Sequence, residues 1–262
     1  MTSPDLALLH IDARIATLTL NRPDAHNALS IQLLAAAAAR IAELEAIYAG
    51  PAAASAPTVI VLTGAGRSFC AGMDLEQVIV ETQADHARPR ALLHALADLT
   101  IRLRALPAVV VAKVGGPAIG GGCGLTCVAD ISITHAANKL GFPEVDMGIC
   151  PAVVAPWLVR KIGPGRARLI LLSGGLMTGR QAHDLGLVDH CVESPDELDA
   201  ACTKITQRLA AAGPNALAAT KGLLNDLDRS LEADLVRRGA DLSARVLCEP
   251  PAQEALRARR KK

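Results

Sequence analysis

Ala108 to Val128 reads AVVVAKVGGPAIGGGCGLTCV, and this stretch decides the fold. Its first seven residues are apolar apart from Lys113 and rich in valine, as a strand covered on both faces should be. Glycine and proline then stop the strand, and a second glycine run leads into a segment compatible with a helix. The same order occurs earlier. Thr58 to Thr63 (TVIVLT) is a second buried strand, and it runs into GAGRSFCAGMDL. Strand, glycine turn and helix, used twice, predict an α/β domain with parallel strands.

Outward from these units the pattern continues. Leu6 to Ile11 and Ile15 to Leu20 are apolar runs joined by Asp12-Ala13-Arg14, which predicts a hairpin. Ser30 is placed to cap a helix from Ile31 to about Tyr48. A further helix is expected from about Pro89 to Leu106, a strand over Ala129–Thr134, helices ending near Leu172 and a last strand over Leu187–Val192. After Pro195 the pattern is helical, with Pro214 and Pro250 at helix starts. The expected division is residues 1–195 as the α/β core and 196–262 as an all-helical carboxy-terminal region.

Composition removes several function classes. The 262 residues are 51% hydrophobic with a formal net charge of +1, so no global field draws the chain to nucleic acid or to a membrane surface. Only Tyr48, Phe69, Phe142 and Trp157 are aromatic, too few for a base-stacking platform. No apolar stretch approaches the roughly 20 residues of a membrane span. The opening MTSPDLALLHID lacks the basic and apolar regions of a leader, and the seven cysteines are an odd number, so a cytoplasmic protein with reduced thiols is expected. Cys123 and Cys127 have no histidine or cysteine pair to complete a zinc site, and no metal is expected.

The glycines fail the phosphate-binding patterns. A dinucleotide fingerprint needs glycine at the first, third and sixth positions. Counting from Gly64 the sixth is Phe69, and from Gly120 it is Leu125. No Gly-Lys-Ser or Gly-Lys-Thr is present, nor a Gly-x-Ser-x-Gly elbow. A glycine turn before a helix does leave backbone N–H groups free and open to a ligand. Two such turns facing each other can grip one oxygen as an oxyanion hole.

Taken together, VLTGAGRSFCAGMDL, VGGPAIGGGCGLTCVADISI and LGFPEVDMGICPAVV, in this order, resemble the crotonase superfamily of enoyl-CoA hydratases and isomerases. NRPDAHNALS, GGLMTGRQAHDLGLVD and GPNALAATKGLL carry the resemblance from about Leu6 to about Leu224, and GFPEVDMGICPAVVAPWLVRKIG is most similar to the methylglutaconyl-CoA hydratase branch. The resemblance implies a wound ββα core and an acyl-CoA thioester substrate, with no cofactor beyond the coenzyme A of the substrate itself. It further implies a role in fatty acid metabolism and a homo-oligomer, a trimer or a dimer of trimers, with the helical region covering the site. It assigns the two oxyanion amides to Ala71 and Gly121 and substrate contacts to Ala28, Gly72, Met73, Asp74, Gly120 and Gly124. Of the family's two catalytic glutamates, the first position is Gly124 and the second is Glu144.

Phe142, Pro143, Val145 and Met147 give Glu144 apolar neighbours in sequence, a setting that raises a carboxyl pKa toward neutrality for acid and base work. One carboxylate suits a double-bond isomerase, while hydration asks it also to hold water. Hydratase, isomerase and a non-catalytic CoA-ester binding protein therefore all stand, with hydratase preferred. Asp146 and His94 are possible helpers, each equally readable as a capping or solvated residue. The acyl group is set by side chains from Glu76 to Arg104.

Overall fold

A computed structural model describes residues 5–81 and 86–260. The hairpin forms from β1 (Ala7–Asp12) and β2 (Ile15–Leu20), antiparallel from Ala7 against Leu20 to Asp12 against Ile15. β2 then pairs in parallel with β3 (Val59–Gly64), and β3 with β4 (Val109–Val114). β6 (Ile131–His135) and β9 (His190–Val192) extend the parallel sheet, whose order is β1-β2-β3-β4-β6-β9. Between the strands lie α1 (Ile31–Ala49), α2 (Leu75–Val78), α3 (Ala87–Ala105), α4 (Gly121–Val128), α5 (Ala155–Ser173) and α6 (Gly179–Asp184). Ser30 caps α1 as expected, its Oγ accepting from the Leu33 N–H at 3.1 Å.

The alternation along β3 and β4 explains why both faces are apolar. Ile60, Leu62, Val110, Ala112 and Val114 enter the main core with α1, α3 and α4. Val59, Val61, Val109 and Val111 face the other way, onto Leu198 and Cys202 of α7 (Pro195–Ala210). The helical run continues as α8 (Pro214–Leu227), α9 (Ala233–Leu247) and α10 (Pro250–Arg260).

Differences from the expectation are local. A small sheet of β5 (Ala118–Ile119), β7 (Lys139–Gly141) and β8 (Leu176–Thr178) is made of strands too short to show periodicity. The strand expected over Ala129–Thr134 begins at Ile131, one residue after the Asp130 N–H donates to the Val110 carbonyl at 2.9 Å. Leu187 and Val188 are buried core residues, and pairing starts at His190. Among the described residues no helix is long and apolar enough to cross a membrane.

Asp130 ties the helical region to the sheet. Its carboxylate meets Arg104 Nη1 at 3.0 Å and Lys221 Nζ of α8 at 2.8 Å, and accepts from the Val110 N–H at 2.7 Å. Lys221 is 5% exposed and also donates to the Ala108 carbonyl. Removing one member of such a group leaves buried charge uncompensated. Asp130→Ala is expected to cost about 3–5 kcal/mol in urea unfolding; an unchanged midpoint would show that α8 is held by packing alone.

Candidate active site

The two glycine loops meet. Residues 70 and 118 form a parallel bridge in which Cys70 N–H donates to the Pro117 carbonyl at 3.1 Å and Ile119 N–H to the Cys70 carbonyl at 2.9 Å. A Cβ on Gly122 would stand 2.2 Å from the Cys70 carbonyl oxygen, so only glycine permits this approach. α4 starts at the same place, and its first amide, Gly121 N–H, has no partner within the helix.

The partner amide differs from the expectation. Ala71 N–H donates to the His26 carbonyl at 3.0 Å and is already used. The next residues bridge to Leu29: Leu29 N–H donates to the Gly72 carbonyl at 2.7 Å, and Asp74 N–H donates to the Leu29 carbonyl at 3.0 Å. In such a bridge the residue between the two bonds turns its own N–H away from the partner strand. That residue is Met73, whose amide has no partner among the described residues. Met73 therefore replaces Ala71 as the free donor opposite Gly121.

Glu144 lies beside these amides. It precedes a short turn over Val145–Met147, with its carbonyl accepting from Met147 and Ile149 N–H groups. Its carboxylate sits over Gly120, where a Cβ would be 2.8 Å from Oε1; Gly120 also has φ 54°, a conformation that favours glycine. Glu144 is 6% exposed, and its Oε2 has no hydrogen-bond partner among the described residues. Burial raises its pKa from 4.5 to about 7, with the charge of Asp146 adding to the effect.

Two cavities meet at this point. The outer one, about 480 Å³, is lined by Ala28, Ala71, Gly72, Met73, Asp74, Gly120, Gly121 and Glu144, which are all the expected site residues except Gly124. Arg22, Leu256 and Arg259 border it as well, the last two from α10. The inner cavity is only about 20 Å³ and shares Met73, Gly121, Glu144 and Ile149 with the outer one.

Gly124 is a correction. It lines neither cavity, because it faces Val154 on the buried side of α4, where a Cβ would meet Val154 Cγ1 at 2.3 Å. A glutamate side chain has no room there. Asp74 has two structural tasks: its Oδ1 accepts from Glu76 N–H to cap α2, and its Oδ2 pairs with Arg22. Asp146 accepts from Gly175 N–H at 2.9 Å, and His94 pairs with Asp241 at 2.8 Å, so both serve as anchors. Among the described residues no group of three or more His, Cys, Asp or Glu side chains could hold a metal.

The sequence profile of the enoyl-CoA hydratase/isomerase family matches residues 10–259. This chain belongs to that family. A crotonyl-CoA hydratase of Syntrophomonas wolfei is 35% identical over 239 residues, 87% of this chain and 86% of that one. A 2,3-dehydroadipyl-CoA hydratase of Escherichia coli is 33% identical over 229 residues, 86% and 84% of the two chains. The crystal structure of an enoyl-CoA hydratase from Bacillus halodurans superposes with a TM-score of 0.84 at 25% identity, covering 97% of this chain and 99% of that one. The crotonase fold expected from the glycine segments is thus the fold observed.

Sequence reasoning missed Leu256 and Arg259, which reach the outer cavity from the far end of the chain. It also assigned the donor to Ala71 rather than Met73, since only the bridge to Leu29 decides which amide is free.

The raised pKa of Glu144 has a consequence for stability. A carboxyl titrating near 7 when folded and near 4.5 when unfolded favours the folded state fully below about pH 4.5, and that contribution is lost as pH rises through about 7. Glu144→Gln should therefore be more stable than the parent at about pH 8, by up to about 3 kcal/mol, with the gap closing at about pH 4. Thermal melts of both proteins across this range test it, and a gap that widens on acidification contradicts the burial of a lone carboxyl.

Proposed function

We propose that this protein is an enoyl-CoA hydratase with Glu144 as the single acid and base. The observation that carries the reading is a buried carboxyl with an oxygen that has no partner among the described residues, beside two amides likewise without one, Met73 and Gly121 N–H. The thioester carbonyl oxygen takes a hydrogen bond from each amide. Glu144 as carboxylate accepts a proton from water while the water oxygen bonds to the β-carbon. The electron pair of the double bond moves through the α-carbon onto the thioester oxygen, where the two amides stabilise the enolate. The enolate then collapses, and its α-carbon takes the proton back from Glu144. Each oxyanion donor in such a site is worth about 2.7–4 kcal/mol of barrier.

The coenzyme A portion enters from the outer cavity, and its phosphates are met by Arg22 and Arg259 at the border. Arg22 is already neutralised in part by Asp74. Arg259 contacts the Met147 sulfur and is exposed, so its charge faces the mouth. Helices α9 and α10 act as the cover of the site in this reading. Self-association, as the trimer or dimer of trimers that the resemblance implies, would cover apolar side chains left open on the surface, among them Leu172 at 71% and Leu227 at 71% exposure.

The isomerase reading is favoured by one specific feature, the absence of room for a second carboxylate at Gly124. A single base can carry a proton from the α-carbon to the γ-carbon without water. The test supplies a 2-enoyl-CoA and a 3-enoyl-CoA in water labelled with heavy oxygen. Label uptake into a 3-hydroxyacyl product is expected; double-bond migration without uptake establishes the isomerase instead.

Two further outcomes are expected. Glu144→Gln should lower turnover by about 100-fold or more while CoA-ester binding stays within a few-fold, and an unchanged rate removes Glu144 from the mechanism. The rate should rise with pH through about 7, because the step begins with the carboxylate.

A further inference from the structure

The inner cavity limits what can follow the reacting carbons, an argument that rests on the reading of Glu144 and the two amides given above. The thioester carbonyl and the α- and β-carbons must lie at Gly121 and Glu144, where the two cavities join. The coenzyme A portion occupies the wide outer side, so the rest of the acyl group points into the inner one. That space is about 20 Å³, enough for roughly one water molecule or one methyl group.

Its walls are braced from several elements. Leu93 and Leu96 of α3 are 3% and 2% exposed, and Val154 is wedged against Gly124. Ser243 of α9 closes one side. Its Oγ donates to the Cys150 carbonyl at 2.7 Å and accepts from the Ala152 N–H at 3.0 Å, which pins that loop to the helix. Gly239, one turn earlier, lets α9 press on the loop: a Cβ there would stand 2.3 Å from the Ala152 carbonyl oxygen. The Trp157 indole N–H donates to Thr100 Oγ1 at 3.2 Å and fixes α5 to α3. Packed walls of this kind resist extra methylene groups.

The chemistry of the lining matters as much as its size. Among the described residues its only titratable side chains are Glu144 and Cys150, and no cation is among them. A remote carboxylate on the acyl chain would be buried without a partner, close to Glu144.

We infer that the site is selective for short, uncharged enoyl groups of about four carbons, with Leu93, Val154 and Ser243 as the residues that set the limit. Carboxylated acyl groups of the methylglutaconyl type, suggested by the sequence resemblance, are excluded by the same lining, and long straight chains by its volume.

Saturated esters test this without turnover. The purified protein is titrated calorimetrically with butyryl-CoA, octanoyl-CoA, glutaryl-CoA and free coenzyme A. Butyryl-CoA should bind at least about 10-fold more tightly than octanoyl-CoA or glutaryl-CoA, and more tightly than free coenzyme A. Octanoyl-CoA or glutaryl-CoA within about threefold of butyryl-CoA overturns the inference. Equal binding of free coenzyme A and butyryl-CoA overturns it too, because the inner cavity would then take no acyl group. Binding of none of the four instead overturns the reading of the site on which the inference rests. Leu93→Ala should shift the octanoyl-to-butyryl ratio toward octanoyl by several-fold, and a folded variant with an unchanged ratio removes Leu93 from the limit. Should that variant not fold, the series on the parent protein decides alone.

Discussion

Backbone has to touch backbone for this site to exist. The loop after β3 and the loop after β4 come together at Cys70 and Gly122 more closely than any side chain bearing a Cβ would allow at position 122. Parallel pairing of β3 with β4 brings the two loops to the same end of the sheet. The bridge between residues 70 and 118 then fixes their relative height. Once that height is fixed, the Gly121 amide and the Met73 amide have their positions without any side chain aiming them. A donor held by backbone needs no reorganisation when negative charge develops, which is the condition for a useful oxyanion hole.

Glu144 works against this economy. The same burial that would suit it to act as a base near neutral pH, as proposed above, leaves its Oε2 without a hydrogen bond among the described residues and disfavours its charge. Stability of the fold and readiness of the base therefore pull in opposite directions as pH rises. Gly120 leaves room for the carboxylate, and the turn over Val145–Met147 holds the backbone beneath it. A partner close enough to relieve Oε2 would stabilise the fold and blunt the base.

What the sequence made legible follows from how local each signal is. The hairpin, both buried strands and the Ser30 cap depend on neighbours a few residues away, and they appear where their residues predict. The two glycine turns were readable as a pair because their chemistry is written in residue type. The choice of Met73 over Ala71 was not, because it depends on Leu29, which lies in another loop. Gly124 was misplaced for a similar reason: Val154, thirty positions on, fills the space that a family glutamate would need. The small sheet escaped notice since two- and three-residue strands carry no period to detect.

The end of the chain shows the same limit most plainly, and it also shows how α10 is held. Gln253 of α10 is 4% exposed and accepts from the Val80 N–H at 2.7 Å while donating to the Val78 carbonyl at 3.0 Å and the Leu247 carbonyl at 2.9 Å. A buried amide with its oxygen and nitrogen both engaged is a specific latch, since apolar packing alone would allow α10 to slide. The residues it joins are 173 positions apart, beyond the reach of any local pattern. The latch fixes α10 against the end of α2, the helix that Asp74 caps, and Asp74 is in turn paired with Arg22. One side of the mouth is thus continuous from Arg22 through α2 to Leu256 and Arg259. Any movement that opens the outer cavity on this side must break the Gln253 contacts or carry α2 and α10 together, so α10 and the capped helix behave as one piece.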